Sequence, residues 1–587
     1  MKLAAVLLGP ALIVSASGVV PRFDFVSAPS RLSFVNVSGD DAQEPILGPN
    51  GQGLCAIDFD GDNRLDLYFV NGSTLRLWRK GRSPGGALLR NLGNRRFEDV
   101  TRRAGVRGPA WGTGCAAADY DGDGDTDLFV AGWRESLLYR NRGKGVFEEV
   151  TKQAGLRVAG FPSSAAFADL DGDGRLDLAV SRYVDFDPET YPRDEVPGKP
   201  CHYKGIPAGC PPLAYLPEHT LVFRQSPEGR FQDQTADSVL PAAITRGFGI
   251  AALPLFASSR LPDLYVVCDQ MLNRLFRNLS SPGLLRFEEV GEERGAALAY
   301  DGEAESGMGL AVGDVWERGL PDLFVTNFAF QKNTLYRNRG ESFEDATLGT
   351  GLEAHPNELG WGTALADFDA DSHLDAVVAN GHVYPQVASL RDPLETYEQP
   401  LRLYAGDGAG VFEEVHVPAL EEPRGRRGLV VADLDNDGRL EIVTQTHRGH
   451  PQIFWNRSGR GNHWIRFELV GGRPRDPMGA RVAVTLLGGT RRTAWRLPNQ
   501  GYQSSQDPRV FFGLGRDARV SAVEVTWPDG LRESHGPLRA DRDYRIHRGK
   551  RPVAVPPADG EPSEETGRRA PNTSEAAGRL FHWRDLA

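Results

Sequence analysis

The residues with the clearest chemical potential are aspartates that recur in a fixed frame, D-x-D-x-D-x-x-x-D, at five places in the chain. In the copy that begins at Asp119, carboxylates stand at positions one, three, five and nine, and position seven offers a backbone carbonyl. Gly124, at position six, permits the left-handed turn that folds these oxygens inward. Because the ligands are all oxygens on a flexible loop, the pattern favours Ca²⁺; Mg²⁺ ranks second, since it demands stricter octahedral geometry.

Repetition makes these loops a stronger signal than any single copy. We number them loops 1, 2, 3, 6 and 7 after the repeat that carries each, and we predict about five Ca²⁺ sites. The predicted metal ligands are Asp58, Asp60, Asp62 and Asp66; Asp119, Asp121, Asp123 and Asp127; Asp169, Asp171, Asp173 and Asp177; Asp367, Asp369, Asp371 and Asp375; and Asp433, Asp435, Asp437 and Glu441. Four carboxylates in one small loop repel one another unless a cation is present, whereas Asx-turns would explain only one or two of them.

The copies differ in quality. Loop 6 has Ala370 and Ser372 at its turn positions, so we expect weaker binding there. The fourth repeat has lost its ligands, with Leu255 in place of the first aspartate, and we expect no metal in it. In the fifth repeat, Trp316 and Arg318 occupy two ligand positions, and the arginine could supply the missing positive charge itself. An EF-hand is excluded, because position twelve carries no Glu and strands flank the loops.

A second element alternates with the aspartate loops and sets the architecture. It is a strand ending in Arg-Asn, a turn, and a Phe-bearing strand such as residues 147–151. The Phe-bearing strand occurs seven times, but one copy, residues 34–38, precedes the first loop. We therefore predict that this segment completes the repeat begun near residue 430 and closes a seven-bladed β-propeller over residues 31–456. An open solenoid is the alternative, but it would need capping units at its ends.

The repeat ends before residue 457, and the chain changes character. Residues 457–547 carry alternating strands separated by Gly-Gly and Pro-Asp-Gly turns, which predict a small antiparallel β-domain, a sandwich. Residues 548–587 are rich in Pro, Glu, Arg, Ser and Ala, and we expect a disordered tail there. The whole protein is thus predicted to be all-β.

The first residues indicate export. Residues 1–18 have a positive start, an apolar run and small residues suited to cleavage, which is typical of a signal peptide; the run is short for a membrane span. In an oxidising compartment a disulfide between Cys201 and Cys210 is favoured. Cys55 and Cys115 occupy equivalent repeat positions and could pair or remain buried thiols, while Cys268 has no evident partner.

One long insertion, residues 181–220, interrupts the third repeat. Its tyrosines and prolines make it a candidate interface, but a disulfide-tied loop that covers the propeller mouth is an equal alternative. Two histidines, His447 and His450, lie near the last repeat; we expect a solvated loop there rather than a metal site. No motif predicts a catalytic or cofactor-binding residue.

Taken together, these motifs resemble the FG-GAP/VCBS repeats of integrin-α-like propellers, and more closely the cartilage acidic protein-like group that ends in an ASPIC/UnbV domain. The residues that carry the resemblance are the five aspartate loops, the Leu-Tyr-Arg-Asn units, the insertion with its two cysteines, and C-terminal segments such as Gly-Tyr-Gln-Ser at 501–504 and Thr-Trp-Pro-Asp-Gly at 526–530. The resemblance implies Ca²⁺ in the loops, an extracellular or periplasmic setting, and adhesion or interaction without an established enzymatic activity.

The net charge of −12 argues against nucleic acid as a partner. We therefore predict an exported, secreted or periplasmic, calcium-binding propeller that binds a protein or a glycan, with no transmembrane segment in the mature chain. The alternative is a propeller enzyme, a polysaccharide lyase or hydrolase, with its site at the central channel. A convergent pocket with a suitable base at the channel mouth would favour that alternative.

Overall fold

A computed structural model of the protein describes residues 23–28, 32–39, 46–191 and 201–556 of the 587-residue chain. The predicted signal peptide at 1–18 and the part of the predicted tail from residue 557 onward lie outside these described residues. The regular structure of the described chain is almost entirely β-strand, with only a few short helical turns, which confirms the predicted all-β class. No helix among the described residues has the length and apolar character needed to cross a bilayer.

Seven four-stranded antiparallel sheets lie in the described residues up to 456, and five of them use four strands that follow one another directly along the chain. The first strand of the chain, β1 (Phe25–Ala28), belongs to the last of these sheets. Sheet 1 consists of β2 (Leu54–Ile57), β3 (Asp66–Phe69), β4 (Ala87–Asn91) and β5 (Phe97–Asp99). Sheet 2 consists of β6 (Gly112–Ala118), β7 (Asp127–Gly132), β8 (Leu137–Asn141) and β9 (Phe147–Glu149). Sheet 3 consists of β10 (Pro162–Ala168), β11 (Asp177–Arg182), β14 (Leu221–Gln225) and β15 (Phe231–Asp233), with the hairpin β12 (His202–Tyr203) and β13 (Ile206–Pro207) between its second and third strands.

The remaining sheets repeat this plan. Sheet 4 consists of β16 (Gly247–Leu253), β17 (Asp263–Cys268), β18 (Arg274–Asn278) and β19 (Phe287–Glu289). Sheet 5 consists of β20 (Gly307–Gly313), β21 (Asp322–Asn327), β22 (Thr334–Asn338) and β23 (Phe343–Asp345). Sheet 6 consists of β24 (Gly360–Ala366), β25 (Asp375–Asn380), β26 (Arg402–Gly406) and β27 (Phe412–Val415), and sheet 7 of β28 (Arg426–Ala432), β29 (Glu441–Thr446), β30 (Gln452–Asn456) and β1. The helical turns are α1 (Leu75–Arg79), α2 (Thr101–Ala104) and the 3-10 turns Pro212–Ala214, Thr235–Asp237 and Pro385–Ser389.

The N-terminal strand of sheet 7 is not the segment that the sequence predicted. Residues 25–28 pair with β30, from Phe25 opposite Asn456 to Ala28 opposite Ile453, whereas residues 34–38 form no strand. In that segment the backbone of Val37 is bound by the side chain of Asn71 instead of a neighbouring strand. Phe34 is buried all the same and stacks on Phe69, which explains why its pattern looks like that of a paired strand.

The first strand of each sheet packs against the first strands of its neighbours. β2 contacts β6, and the contacts continue through β10, β16, β20, β24 and β28; β28 in turn contacts β2. These strands are rich in glycine because little space is left between them. A Cβ on Gly114 would collide with the carbonyl of Ser163, and one on Gly309 with the carbonyl of Trp361.

Residues 463–555 form a second unit with its own apolar core. One sheet runs β34 (Val510–Gly515), β31 (His463–Val470), β39 (Arg542–His547) and β40 (Val553–Val555); the other runs β33 (Arg491–Trp495), β32 (Arg481–Thr485), β36 (Ala522–Thr526) and β37 (Arg532–His535); β35 (Arg519–Val520) pairs with β38 (Leu538–Arg539). The predicted antiparallel domain needs one correction, since β31 and β39 are parallel. Such a pair requires a long crossover, and the whole second sheet provides it. The last strand, β40, lies beyond residue 547.

A loop from this second unit reaches the middle of the seven sheets. We call residues 499–506 the central loop. Ser505 exchanges backbone hydrogen bonds with sheet 1, Gly501 does so with Leu310 of sheet 5, and the carbonyl of Gln503 accepts from Cys115 of sheet 2. Its Tyr502 is fully buried between Phe248 and Trp361. The loop therefore ties together first strands that lie far apart in the sequence.

Candidate metal centres

Each aspartate loop joins the first and second strands of its sheet and is a tight turn built around its first carboxylate. In loop 1, Oδ1 of Asp58 accepts hydrogen bonds from the backbones of Gly61 and Asp62 at 2.9 and 3.1 Å, and Oδ2 accepts from Asn63 at 2.9 Å. The turn needs left-handed backbone at positions four and six, where φ is +74° at Gly61 and +63° at Asn63. Glycine and asparagine tolerate this conformation, so the sequence folds the carboxylates inward as predicted.

Loop 6 forms the same turn with less suitable residues. Its φ values are +58° at Ala370 and +84° at Ser372. Side chains with a Cβ pay a steric cost in this region, about 1 kcal/mol or more each. The loop nevertheless keeps its geometry, since the backbone of Ser372 donates to Asp367 at 2.8 Å. The expectation of weaker ion binding there remains a prediction.

In every intact loop the structure brings three carboxylates together. The candidate ligand oxygens of each group lie within 4.8 Å of one another. The groups are Asp58, Asp60 and Asp62; Asp119, Asp121 and Asp127; Asp169, Asp171 and Asp177; Asp367, Asp369 and Asp371; and Asp433, Asp435 and Glu441. The other predicted ligands lie outside these groups: Asp66, Asp123, Asp173, Asp375 and Asp437.

The acid at position nine has a structural role that the sequence did not reveal. Asp66 accepts two backbone hydrogen bonds, from Phe59 inside the loop and from Asn91 on the third strand, at 3.3 and 2.7 Å. Asp263 and Asp322 of the degenerate loops 4 and 5 accept the equivalent pairs. This role explains why position nine stays acidic in repeats that have lost the other ligands.

The electrostatics of the intact loops fit a bound cation. Burial raises the pKa of Asp58 to about 6 and that of Asp119 to about 7, and repulsion from neighbouring carboxylates adds to the rise. One buried carboxylate oxygen in each of three loops has no hydrogen-bond partner among the described residues: Oδ1 of Asp60, of Asp169 and of Asp435. An unpaired buried oxygen is costly, and a cation in the loop would satisfy it. Oxygen donors of this kind are those that Ca²⁺ takes.

The arginine of the Leu-Tyr-Arg-Asn unit also contacts the loop. Arg90, Arg140 and Arg224 lie 2.5–2.6 Å from the position-three carboxylates of loops 1, 2 and 3. The asparagine that follows bridges to the preceding sheet: Asn141 donates to the carbonyl of Phe59 at 2.8 Å. The sequence displayed both residues in a repeated motif, but their partners depend on how neighbouring sheets pack.

The degenerate loops hold their shape without a full ligand set. In loop 4 only Asp263 remains of the ligand carboxylates. The strand register corrects one assignment, since Leu253 pairs with Asp263 and Pro254, not Leu255, therefore replaces the first aspartate. In loop 5, Asp314 accepts from the backbones of Arg318 and Gly319, and the guanidinium of Arg318 lies 3.2 Å from Asp322. Arg318 thus places a positive charge beside the position-nine carboxylate.

The second unit covers the face that carries the loops. Arg466, fully buried, lies 2.6 Å from both Asp433 of loop 7 and Asp543 of its own unit. Arg475 donates to the carbonyl of Asp123 in loop 2 at 3.2 Å, and Gly515 donates to that of Ala370 in loop 6 at 2.9 Å. A cavity of about 680 Å³ remains between the two units beside loops 1 and 2.

These repeats and the unit that covers them match two known families. Residues 58–130, 119–180, 314–378 and 380–444 match the FG-GAP-like repeat, and residues 471–553 match "ASPIC and UnbV". The chain is an FG-GAP-repeat protein with a C-terminal ASPIC/UnbV domain. The resemblance inferred from the sequence is therefore confirmed.

Relatives of this FG-GAP protein include Cartilage acidic protein 1 of Homo sapiens, 29% identical over 323 residues that make up 46% of each chain. The Xenopus tropicalis protein of the same name is 26% identical over 387 residues, 54% of this chain and 57% of its own. The chain thus spans about half the length of the curated relatives that it matches. A solved structure, "YCF48 bound to D1 peptide", aligns with a TM-score of 0.39 at 10% identity, over 76% of this chain and 99% of that one.

On the face opposite the ASPIC/UnbV domain, the described parts of the insertion, residues 181–191 and 201–220, fold over the sheets of the FG-GAP protein. Tyr183 and Tyr215 are buried in an aromatic core, and the disulfide Cys201–Cys210 is formed as predicted. Tyr203 bonds to the buried Glu395 of the sheet-6 connection, so the hairpin of the insertion is tied to a distant sheet. These contacts favour the covering loop over the interface.

One histidine and three cysteines differ from the sequence interpretation or extend it. His447 is not solvated: it is buried, its Nε2 lies 3.0 Å from the carbonyl of Gly48, and burial lowers its pKa to about 3. Cys55 and Cys115 form a disulfide between sheets 1 and 2, while Cys268 is a buried free thiol.

Proposed function

We propose that this FG-GAP protein is an exported, calcium-binding module for a protein or glycan partner, with its seven sheets closed into a ring of blades. The observation that carries the proposal is the buried carboxylate oxygen without a partner among the described residues in each of loops 1, 3 and 7. Ca²⁺ would satisfy these oxygens, and the grouping of three carboxylates in loops 2 and 6 as well extends the proposal to all five loops. Five such ions would add ten positive charges, which nearly offsets the net charge of −12.

Closure of the ring is supported by the contact of β28 with β2 and by the pairing of β1 with β30, which leaves no unpaired edge between the first and last blades. Asn91 of sheet 1 also donates to the carbonyl of Leu434 in loop 7 at 2.7 Å. This is the same bridge that joins consecutive sheets elsewhere.

A binding role is favoured over catalysis by the state of the channel. The central loop lies where a polysaccharide would have to enter, and its backbone bonds to the first strands of sheets 1, 2 and 5. Enzymes of this shape need an open, convergent pocket with a suitable base at the channel mouth. The human relative's name, Cartilage acidic protein 1, and two disulfides support an extracellular or periplasmic location.

The experiment is a paired screen of the purified, calcium-loaded protein. The protein is applied to an array of immobilised glycans and extracellular proteins in the presence of EDTA or of about 2 mM Ca²⁺, a concentration at which even weak extracellular calcium sites are filled. In parallel it is incubated with a panel of soluble polysaccharides. Calcium-dependent retention without cleavage supports the proposal. If a polysaccharide is cleaved, and cleavage is lost when a channel residue is mutated but not when a loop aspartate is mutated, the protein is an enzyme and the proposed binding function is wrong.

A further inference from the structure

Sheet 5 keeps an arginine whose usual partners have gone. In sheets 1–3 the arginine of the third strand pairs with loop carboxylates, as Arg90 does with Asp60 and Asp62. The equivalent residue in sheet 5 is Arg337, but loop 5 presents Trp316 and Arg318 at those positions. The guanidinium of Arg337 lies 4.8 Å from the ring of Trp316 instead. Arg337 thus has no loop carboxylate beside it, and Glu344, which lies opposite it on β23, pairs with Arg339 instead.

The ASPIC/UnbV domain adds arginines at the same place. Arg481 of β32 approaches loop 5 so closely that a Cβ on Gly319 would collide with its guanidinium. Arg481 lies opposite Thr526, which in turn lies opposite Arg532, so both arginines stand on one face of the sheet. We call Arg337, Arg481 and Arg532 the arginine cluster.

Nearby acids are already engaged with other groups, including Asp314, which acts on Arg481 and accepts hydrogen bonds from the backbones of Arg318 and Gly319. Asp322 pairs with Arg318, Glu524 pairs with Arg491, and Glu317 is bound by both His373 and Arg492. No described carboxylate lies within 4.0 Å of a guanidinium nitrogen of the arginine cluster, Arg337, Arg481 and Arg532. The Nε atoms of Arg337 and Arg481 are buried without a hydrogen-bond partner among the described residues. Burial and repulsion from Arg491 and Arg532 lower the pKa of Arg481.

The overall charge distribution points the same way. Residues 457–556 contain 19 Lys and Arg against 9 Asp and Glu, a net charge of +10. Residues 23–456 contain 42 against 64, a net charge of −22. An anionic chain that approaches this molecule is therefore repelled by the seven sheets and attracted to the ASPIC/UnbV domain.

We propose that the arginine cluster binds the sulfate esters of an anionic glycan. The proposal rests on the binding function proposed above and names a ligand class for it. Arginine forks match oxyanions, and a sulfate ester offers three terminal oxygens, whereas a carboxylate offers two, so a sulfated chain provides more acceptors for the guanidinium groups beside loop 5. Trp316 and Trp495, both partly buried, border the cluster, and the ring of Trp316 packs against the guanidinium of Arg337 and helps to hold it in place. Because loop 5 lacks a metal-ligand set, this site works through arginines rather than Ca²⁺.

The experiment compares polymers that share a backbone but differ in charge. Calcium-loaded protein is titrated with dextran sulfate, carboxymethyl dextran, uncharged dextran and inorganic polyphosphate. The triple variant R337Q/R481Q/R532Q is expected to bind dextran sulfate at least a hundredfold more weakly, since each charge-assisted contact contributes about tenfold. The control R519Q/R539Q/R551Q removes the same charge from exposed positions of the same domain and should weaken binding less than threefold.

Three outcomes of these titrations would overturn all or part of the proposal. Equal weakening in the two triple variants would reduce the site to bulk charge attraction and overturn the proposal. Carboxymethyl dextran bound as tightly as dextran sulfate would overturn the sulfate assignment, and tighter, cluster-dependent binding of polyphosphate would overturn the glycan. R337K, which keeps the charge but loses the fork, should bind about tenfold more weakly.

A calcium titration of the same samples separates this inference from the proposed function. Calcium binding and a calcium-dependent partner without affinity for dextran sulfate would refute the arginine cluster alone. Cluster-dependent affinity for dextran sulfate in a protein whose loops take up no Ca²⁺ would refute the calcium module alone.

Discussion

Tyr502 is the residue through which the central loop can be tested most sharply. Its side chain is fully buried, its ring lies 5.4 Å from that of Phe248 and 5.0 Å from that of Trp361, and its hydroxyl donates to the carbonyl of Asn50 at 2.9 Å. Truncation of a buried aromatic side chain costs about 3–5 kcal/mol, and an orphaned carbonyl adds about 1 kcal/mol. We therefore expect Tyr502→Ala to lower the free energy of unfolding by about 4–6 kcal/mol.

The conservative variant isolates the two contributions. Tyr502→Phe keeps the ring contacts and removes one hydroxyl, so its loss should be about 1 kcal/mol. Both variants are measured by urea unfolding, with tryptophan fluorescence and far-UV circular dichroism as independent probes. The buffer contains about 2 mM Ca²⁺, because weak calcium sites fill in that range. If Tyr502→Ala unfolds at the wild-type midpoint, the loop does not fill the centre of the sheets and the argument against a channel active site fails.

Three further results are expected. Arg466→Met should destabilise the protein by about 3 kcal/mol in urea unfolding, because it leaves Asp433 buried without its partner. The control Arg475→Met, at an exposed position, should change stability by less than ~0.5 kcal/mol. Equal effects of the two substitutions would mean that Arg466 does not hold the two units together. Asn141→Ala removes two buried hydrogen bonds to loop carbonyls and should cost about 2 kcal/mol, and a melting temperature like that of the wild type would refute the bridge. In EDTA, the melting temperature should rise as the pH falls from 8 towards 5. The reason is that the pKa of Asp119 is about 7 in the folded protein and 3.8 ordinarily, so the folded protein binds more protons than the unfolded chain. With saturating Ca²⁺ the trend should reverse, and a melting temperature in EDTA that does not change with pH would show that the carboxylates are not buried together.

Much of the fold could be predicted because the repeat is defined by residues that lie close together in the sequence. The aspartate frame, the glycines at its turns and the alternation of the Phe-bearing strands each act within a few residues, so the seven sheets and their loops follow from them. The N-terminal strand was misplaced for a physical reason. Residues 34–38 and 25–28 both bury a Phe in an extended segment, and only the pairing partner, β30, distinguishes them.

The features that escaped prediction are long-range. The central loop carries a Gly-Tyr-Gln-Ser segment whose polar residues read as an ordinary turn until Leu54, Cys115 and Leu310 are placed around it. Position nine of each loop was assigned as a ligand, although its hydrogen bonds to two backbone amides explain its presence equally well. The environment of Arg337 could not be predicted either, because the pairing of the third-strand arginine with the loop carboxylates is known only from the folded structure.

Calcium in the intact loops can be measured directly. The direct measurement is equilibrium dialysis of the purified protein against 2 mM Ca²⁺ followed by elemental analysis, where ~2 mM saturates all but the weakest sites. We predict about five calcium ions per chain, about two after D119N/D169N/D433N, and about five after the exposed-acid control D99N/E148Q/D407N. Protein that is folded and retains no calcium, or that retains the same amount in the loop variant as in the control, would contradict the account.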